Sequence, residues 1–237
     1  MAGKYSRFKL FGAKVPKYLL PLGDGTILSK IIESTKKNDE NANFYFIANR
    51  DDQLFYPIIK SIFNAYDISN SRLLYIDDTS SQLETALYTE DLLPKSSMDQ
   101  PLCFVNIDTL TFSRNDFFHK LKHCSENDSL IDTFKGNSSK YSYAFLNKDG
   151  NVSEIVDNNI VSKYACSGLY GFGSFLKMKT FTKILLKQTG TSNFTDLYNY
   201  YLQKSLTVEY TYSPNKNDTI VLGTPEEYII NIHKFVK

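Results

Sequence analysis

Phe44-Tyr45-Phe46-Ile47-Ala48-Asn49-Arg50-Asp51 is the stretch whose reading decides the fold class. A short apolar run bounded by polar residues reads as a buried strand. Asp51 is placed to cap a helix that continues to about residue 66. The pattern then repeats. Residues 72–76 form a second strand, and Ser80 and Ser81 precede a helix running to about residue 93, with a capping residue in place. Leu102-Cys103-Phe104-Val105 is a further apolar run, stopping at Asn106-Ile107-Asp108. Upstream, Ile27, Leu28, Ile31 and Ile32 fall at helical spacing within residues 26–37. Strands alternating with helices at this spacing argue for βαβ units. The expected fold is α/β: a doubly wound, mainly parallel (mixed) central sheet flanked by helices. Open sheets of this kind bind ligands beyond the carboxyl ends of their strands, where these polar residues gather.

The second half has another character. Residues 129–134, 141–146, 152–156 and 164–172 are strand-like, and Lys148-Asp149-Gly150-Asn151 between two of them is a hairpin signal. Helices are expected over 175–187 and 194–203, then a strand over 207–212 and a short apolar segment over 219–222. A last helix starts at Pro225 with Thr224 as its cap. No repeat, low-complexity block or linker interrupts the chain. It reads as a single domain over 1–237, with a first half over 1–110 and a second over 111–237.

Composition narrows the function. The chain has 237 residues, of which 42% are hydrophobic, enough for a sizeable core. With 27 basic and 26 acidic residues the net charge is +1, so there is no general electrostatic case for nucleic acid or membrane surfaces. No apolar run approaches the length of a membrane span, and no secretory leader is visible. Cys103, Cys124 and Cys166 lack a C-x-x-C spacing and read as reduced thiols of a cytoplasmic protein. His119 and His123 stand four apart, but no third ligand or adjacent glutamate makes them a metal motif.

The N-terminus carries the chemistry. Met1-Ala2-Gly3-Lys4-Tyr5-Ser6-Arg7 is a small-residue turn leading to an arginine, and Pro16-Lys17 follows about ten residues later. Glycine lets backbone approach a phosphate, while Arg and Lys neutralise it. This resembles the signature loop, G-x-G-x-R…P-K, of the nucleotidyltransferases that make nucleotide sugars. Further segments resemble the family in the same order. They are Ser81-Gln82-Leu83-Glu84 at the nucleotide base, Asn106-Ile107-Asp108 at a metal-holding strand end, and Gly150 to Asn158 in place of its G-x-V…E-K segment. Ser167-Gly168-Leu169-Tyr170, Thr195-Asp196 and Leu222-Gly223-Thr224-Pro225-Glu226-Glu227 complete the set.

The resemblance implies a nucleotide-diphospho-sugar transferase-like, Rossmann-like fold. It also implies transfer of an NMP from an NTP to a phosphorylated small molecule, a sugar 1-phosphate above all, with release of pyrophosphate, as in surface-polysaccharide (capsule) biosynthesis. By carry-over Arg7 and Lys17 would contact phosphates and Asp108 would hold Mg2+. Ala2, Gly3, Lys4, Ser81 and Gln82 would frame the nucleotide. Asp157, Asn158, Gly168 and Asp196 would line the acceptor site. The family's loop follows an apolar strand that ends where Met1 stands, so the sheet is expected to lack that strand, and apolar residues added before Met1 are expected to stabilise it.

The departures keep alternatives open. Tyr5 stands where the family usually has glycine, and Asp157-Asn158 stand where it has Glu-Lys. The second metal-binding aspartate, usually just before the Gly-Thr pair, is absent from Ile220-Val221-Leu222. A cytidylyltransferase for a non-sugar phosphate, such as phosphocholine or a phosphorylated amino acid, is one alternative. A non-catalytic binding domain of the same fold is another. Each residue also has a structural reading: a strand-end Asp108 as a turn or cap, and Gly168 as the glycine of a bulge. The base, the acceptor and the oligomeric state, including whether the chain is a homo-oligomer, are not fixed by the sequence.

Overall fold

The computed structural model describes residues 1–235. In chain order the elements are α1 (Ser6–Leu10), β1 (Pro21–Leu22), β2 (Gly25–Thr26), α2 (Ile27–Asn38), β3 (Phe46–Asn49), α3 (Tyr56–Ala65), β4 (Leu73–Ile76), α4 (Gln82–Leu87), β5 (Leu102–Val105) and β6 (Thr109–Thr111). Then come α5 (Asn115–Lys122), β7 (Ser129–Lys135), β8 (Ser142–Leu146), β9 (Val152–Asp157), β10 (Tyr164–Phe172), α6 (Phe175–Thr189), α7 (Phe194–Gln203), β11 (Val208–Ser213), β12 (Thr219–Val221) and α8 (Pro225–Ile232). Two compact units result. The first holds Met1–Thr79, Asn106–Ser113 and the described residues from Asn217 onward; the second holds Ser80–Val105 and Arg114–Lys216.

In the first unit β3 and β4 pair in parallel, as a strand–helix–strand pattern requires, and β6 pairs antiparallel with β12. α2 opens with a capping box: Ser29 N donates to Thr26 Oγ1 (3.2 Å) and Thr26 N donates to Ser29 Oγ (2.9 Å). Its two apolar stripes serve two clusters. Leu28 and Ile32 join Tyr18, Phe46, Ile59 and Phe63, whereas Ile27 and Ile31 join Leu22, Leu110, Ile220 and Leu222. The helix expected over 51–66 begins as a 3-10 turn, because Pro57 lacks the N–H that an α-helical interior needs and suits only a first turn. The cap there is Asn49, whose side chain accepts from Asp51 N (2.9 Å), rather than Asp51 itself.

The second unit carries the large mixed sheet, ordered β11-β7-β10-β8-β9, with β5 also paired to β10. β7 and β11 run parallel, and the remaining pairs are antiparallel. β8 and β9 are joined by the expected tight turn, with Gly150 at φ 81°, and a connection that short permits only antiparallel pairing. β5 pairs antiparallel with β10 rather than extending the β3–β4 ladder. The α/β architecture with a mixed, helix-flanked sheet is as the sequence leads one to expect. Among the described residues the parallel pairs are β7–β11 in that sheet and β3–β4, which form a separate two-stranded sheet in the first unit.

Aromatic rings fill the second core. Tyr170 stacks on Phe194 (4.5 Å between centroids) and Phe172 on Tyr198 (5.2 Å). Buried Tyr198 satisfies its hydroxyl by donating to Leu130 O at 3.0 Å. A charged pair is buried in this unit: Arg114 Nε donates to Asp132 Oδ2 at 2.7 Å, with side chains 3% and 0% exposed. Thr211 Oγ1 also donates to Asp132 at 2.7 Å. The β10–β7 register shifts between Cys166 and Tyr170, opposite Asp132. The bulge thus falls where a carboxylate must be housed and hydrogen-bonded. Among the described residues no helix is long and apolar enough to cross a membrane.

Candidate functional site

In the first unit the structure joins Lys17 and Asp108. Lys17 opens a 3-10 turn directly after Pro16, and fully buried Tyr18 pins that turn to the core. Asp108 stands just before β6, its carbonyl accepting from Leu222 N at 2.7 Å. Lys17 Nζ donates to Asp108 Oδ2 at 2.5 Å, with side chains 17% and 21% exposed. The pair is partly desolvated yet reachable, as groups that meet a charged ligand should be.

A second carboxylate is close by. A Cβ added at Gly223 would lie 3.4 Å from Asp108 Oδ2 and 3.4 Å from Glu227 Oε2. Glu227 also closes the capping box of α8, accepting from Thr224 N at 3.0 Å. The motif Gly-Thr-Pro-Glu-Glu reads as a helix start; nothing in it signals that its third helical residue faces Asp108. Among the described residues no group of three or more His, Cys, Asp or Glu is placed to hold a metal. The donor chemistry nevertheless suits Mg2+, a hard cation bound through one or two carboxylates with phosphate and water oxygens for the rest.

The N-terminal loop is tied to the carboxyl ends of β3 and β4. Lys4 Nζ pairs with Asp78 Oδ2 at 3.0 Å on the surface, and Asn49 Nδ2 donates to the same carboxylate at 2.8 Å. These partners hold the pKa of Asp78 below the usual carboxylate value. Tyr5 has φ 37° and ψ 37°, a left-handed conformation that costs a residue with a side chain roughly 1–2 kcal/mol. Its hydroxyl donates to Asp52 Oδ1 at 2.7 Å, so the ring points to the core side of the loop. Burial, then the bond to Asp52, raises its pKa. Ala2 is half-buried and Gly3 is exposed, with open space where a Cβ would stand. Arg7 lies exposed on α1 and is not part of the Lys17–Asp108 pair.

The remaining predicted residues belong to the second unit. Ser81 caps α4, with Glu84 N donating to its Oγ at 3.3 Å, and Gln82 is the first helical residue. Leu83 N donates to Ser192 O at 3.3 Å, which ties this helix start to the start of α7. Asp157, at the end of β9, collects uncharged donors: Ser142 Oγ, Asn193 Nδ2 at 2.9 Å and Thr195 Oγ1 at 2.7 Å. Asn158 is exposed with φ 55°. Asp196 accepts from Asn193 N and Ser192 Oγ, both at 2.9 Å, which makes it the capping-box partner of α7. Gly168, at φ 89°, supplies the bulge opposite Asp132. Asp157 and Asp196 therefore meet through Asn193, which donates to both; sequence reasoning missed that residue, and the Asn-x-x-Asp spacing of a capping box is the local signal that could have found it.

The His119 and His123 rings lie 4.7 Å apart between centroids, tilted by 38°, and His123 Nδ1 lies 2.8 Å from the His119 carbonyl oxygen. The three cysteines are free thiols. Burial raises the pKa of each, that of Cys124 to about 12.

No family model matches the chain, and no curated protein matches it. Solved structures do. A nucleoside-diphosphate-sugar pyrophosphorylase from Vibrio cholerae RC9 is 24% identical, with 98% of each chain covered and a TM-score of 0.81. A candidate glucose-1-phosphate thymidylyltransferase from Bacillus anthracis, solved with a sucrose, is 13% identical over 99% of this chain and 92% of the other, with a TM-score of 0.76. At these identities the likeness is one of fold.

Proposed function

We propose that this chain is a nucleotidyltransferase that moves an NMP from an NTP to a phosphorylated small molecule, with a sugar 1-phosphate as the principal acceptor. The observation that carries the reading is the Lys17–Asp108 pair, partly buried and joined at 2.5 Å, in a chain whose fold is that of a sugar-nucleotide pyrophosphorylase. A phosphate oxygen of the acceptor attacks the α-phosphorus of the NTP, and the bond from that phosphorus to the pyrophosphate oxygen breaks. Pyrophosphate leaves with the electron pair, and no covalent enzyme intermediate forms. Such a step needs positioning and charge neutralisation more than acid–base work.

Lys17 neutralises the α-phosphate and the approaching acceptor phosphate, releasing Asp108 as they arrive. Arg7, exposed and carried on α1, takes the outer phosphates. The backbone of Ala2, Gly3 and Lys4 lines the triphosphate, and Ser81 and Gln82 contact the base. Asp108 holds Mg2+, with Glu227 as the nearby second carboxylate. When bound, that cation supplies neutralisation of phosphate charge. Asp157, Asn158, Gly168 and Asp196 are assigned to the acceptor. A role in surface-polysaccharide synthesis is the matching place for such a product.

One observation favours a second acceptor class. The side chains that donate to Asp157 (Ser142, Asn193 and Thr195) are uncharged, and among the described residues no Lys or Arg forms an ion pair with it. A phosphate ester carrying a positive group, of the phosphocholine kind, suits such a site. The deciding experiment is a pyrophosphate-release screen that crosses the common NTPs with sugar 1-phosphates, phosphocholine and phosphorylated amino acids. Release that depends on one acceptor and is lost in Asp108→Asn supports the reading. No release from any pair, with nucleotide binding unaltered in that variant, defeats it.

A further inference from the structure

Asp52 is 1% exposed, and both of its carboxylate oxygens are engaged by tyrosines from different segments. Tyr5 Oη donates to Oδ1 at 2.7 Å and Tyr18 Oη donates to Oδ2 at 3.0 Å. Tyr5 heads the helix that carries Arg7: its carbonyl accepts from Phe8 N (3.0 Å) and Lys9 N (3.1 Å). Tyr18 directly follows Lys17. One buried carboxylate therefore fastens both segments to which the proposed phosphate contacts belong. Lys9 Nζ lies over the Tyr5 ring, 4.6 Å from its centroid.

The backbone shows why a fastening is needed. Tyr5 sits at φ 37°, where a residue with a Cβ does not rest by preference. A conformation of that kind persists only when its surroundings over-determine it. The bond to a buried charged acceptor is such a surrounding, and it is among the stronger hydrogen bonds a side chain can make. Neither tyrosine hydroxyl serves as an acid or base here, since burial and the Asp52 charge hold both in the protonated form that donates.

We propose that Asp52 is a positioning residue that, through Tyr5 and Tyr18, fixes the Arg7 segment and the Lys17 segment in register for a triphosphate. This rests on the proposed function for its ligand, although the fastening itself does not. Asp52 touches no reacting atom in this reading; it acts through the two tyrosines.

The test uses the full chain and the variants Tyr5→Phe, Tyr18→Phe, Asp52→Asn and Arg7→Ala, with two readouts. Amide hydrogen exchange over residues 2–12 is followed without ligand. Inorganic triphosphate, the probe, is titrated by calorimetry. Losing a hydrogen bond to a charged group predicts roughly tenfold faster exchange in Tyr5→Phe and Asp52→Asn, and about tenfold weaker triphosphate binding. In an Arg7→Ala background, Tyr5→Phe is expected to cost clearly less affinity than in the wild type, because part of its effect is exerted through that arginine. A merely structural role would give additive losses. Unchanged exchange in both Tyr5→Phe and Asp52→Asn overturns the fastening. Faster exchange with unchanged triphosphate affinity overturns the positioning role. A wild-type chain that binds no triphosphate overturns the proposed function and the positioning role with it, and the exchange readout tells that failure from failure of the fastening. Should Asp52→Asn not fold, the two tyrosine variants carry the same comparison.

Discussion

Lys17 Nζ stands 2.5 Å from Asp108 Oδ2, with each side chain about one-fifth exposed. A pair so placed lies between a solvent-screened surface bridge and a buried one. Breaking it is expected to cost about 1–2 kcal/mol, less than a buried pair and more than most exposed ones. Lys17→Met and Asp108→Asn should therefore lower the Tm by about 3–6 °C. Turnover with an active substrate pair should fall far more, by about 10²–10³ for removal of a donor aimed at developing charge. Thermal melts beside pyrophosphate-release rates check this. Variants that unfold outright, or that turn over normally, contradict it.

Gly223 offers a finer probe of the same corner. A methyl group there meets Asp108 Oδ2 and Glu227 Oε2 at 3.4 Å, an ordinary van der Waals distance, and its φ is not in the left-handed range. Gly223→Ala is expected to melt within about 1 °C of wild type, as substitutions without clash or lost partner do. It should nevertheless weaken Mn2+ binding, used in place of Mg2+ and read by electron paramagnetic resonance, because the methyl fills the space between the two carboxylates. Equal Mn2+ affinity would remove the cation from this corner.

Most of the elements could be read from the sequence because local rules govern them. Thr26, Ser81, Thr224 and the Asn193–Asp196 pair cap helices by side-chain chemistry that depends on a few adjacent residues. Strand partners were less legible. β5 has the apolar character of its neighbours in sequence, but its partner is β10, and nothing local to Leu102-Cys103-Phe104-Val105 names that partner. At the site, Lys17 and Asp108 could be paired only through resemblance, being 91 residues apart. Asp52 gave no signal at all: it is one polar residue in the run Asn49-Arg50-Asp51-Asp52, and only the fold shows that it alone of these turns inward to two tyrosines. Asp157 and Asp196 look alike in sequence, yet one gathers side-chain donors while the other closes a helix cap.

The buried pair of Arg114 and Asp132 sets the expected cost of disturbing the large sheet. Asp132 bridges its own strand β7 to β11 through Thr211 and faces the β10 bulge. Burial raises its pKa, against the pull of Arg114. Asp132→Ala leaves the guanidinium buried without its partner, and about 3–5 kcal/mol of stability should be lost. Urea titration measures it. A loss under about 1 kcal/mol would mean that water reaches Arg114 in the folded chain.

Alkaline pH should unfold this protein earlier than its balanced charge suggests. Burial raises the thiol pKa values of Cys103, Cys124 and Cys166, with Cys124 at about 12, and raises the hydroxyls of Tyr18, Tyr198 and Tyr201 likewise. In the unfolded chain thiols release their protons near pH 8.5 and tyrosines near pH 10. Above about pH 8.5 the unfolded state therefore binds fewer protons than the native state, so stability falls as pH rises. The stabilisation is fully present below the unfolded values and is lost on approach to the folded ones. One thiol contributes at most about 1.4 kcal/mol per pH unit within that window. Three together set an upper bound of about 4, which the partial solvent contact of these side chains reduces. Urea midpoints are expected to hold steady from pH 7 to about 8 and then decline, steepening once the tyrosines join near pH 10. The native thiols should react slowly with a disulfide reagent at pH 8 and promptly once urea is added, because thiolate is the reactive form. A flat midpoint through pH 10, or three fast-reacting thiols in the native chain, would show that these groups are solvated and ordinary.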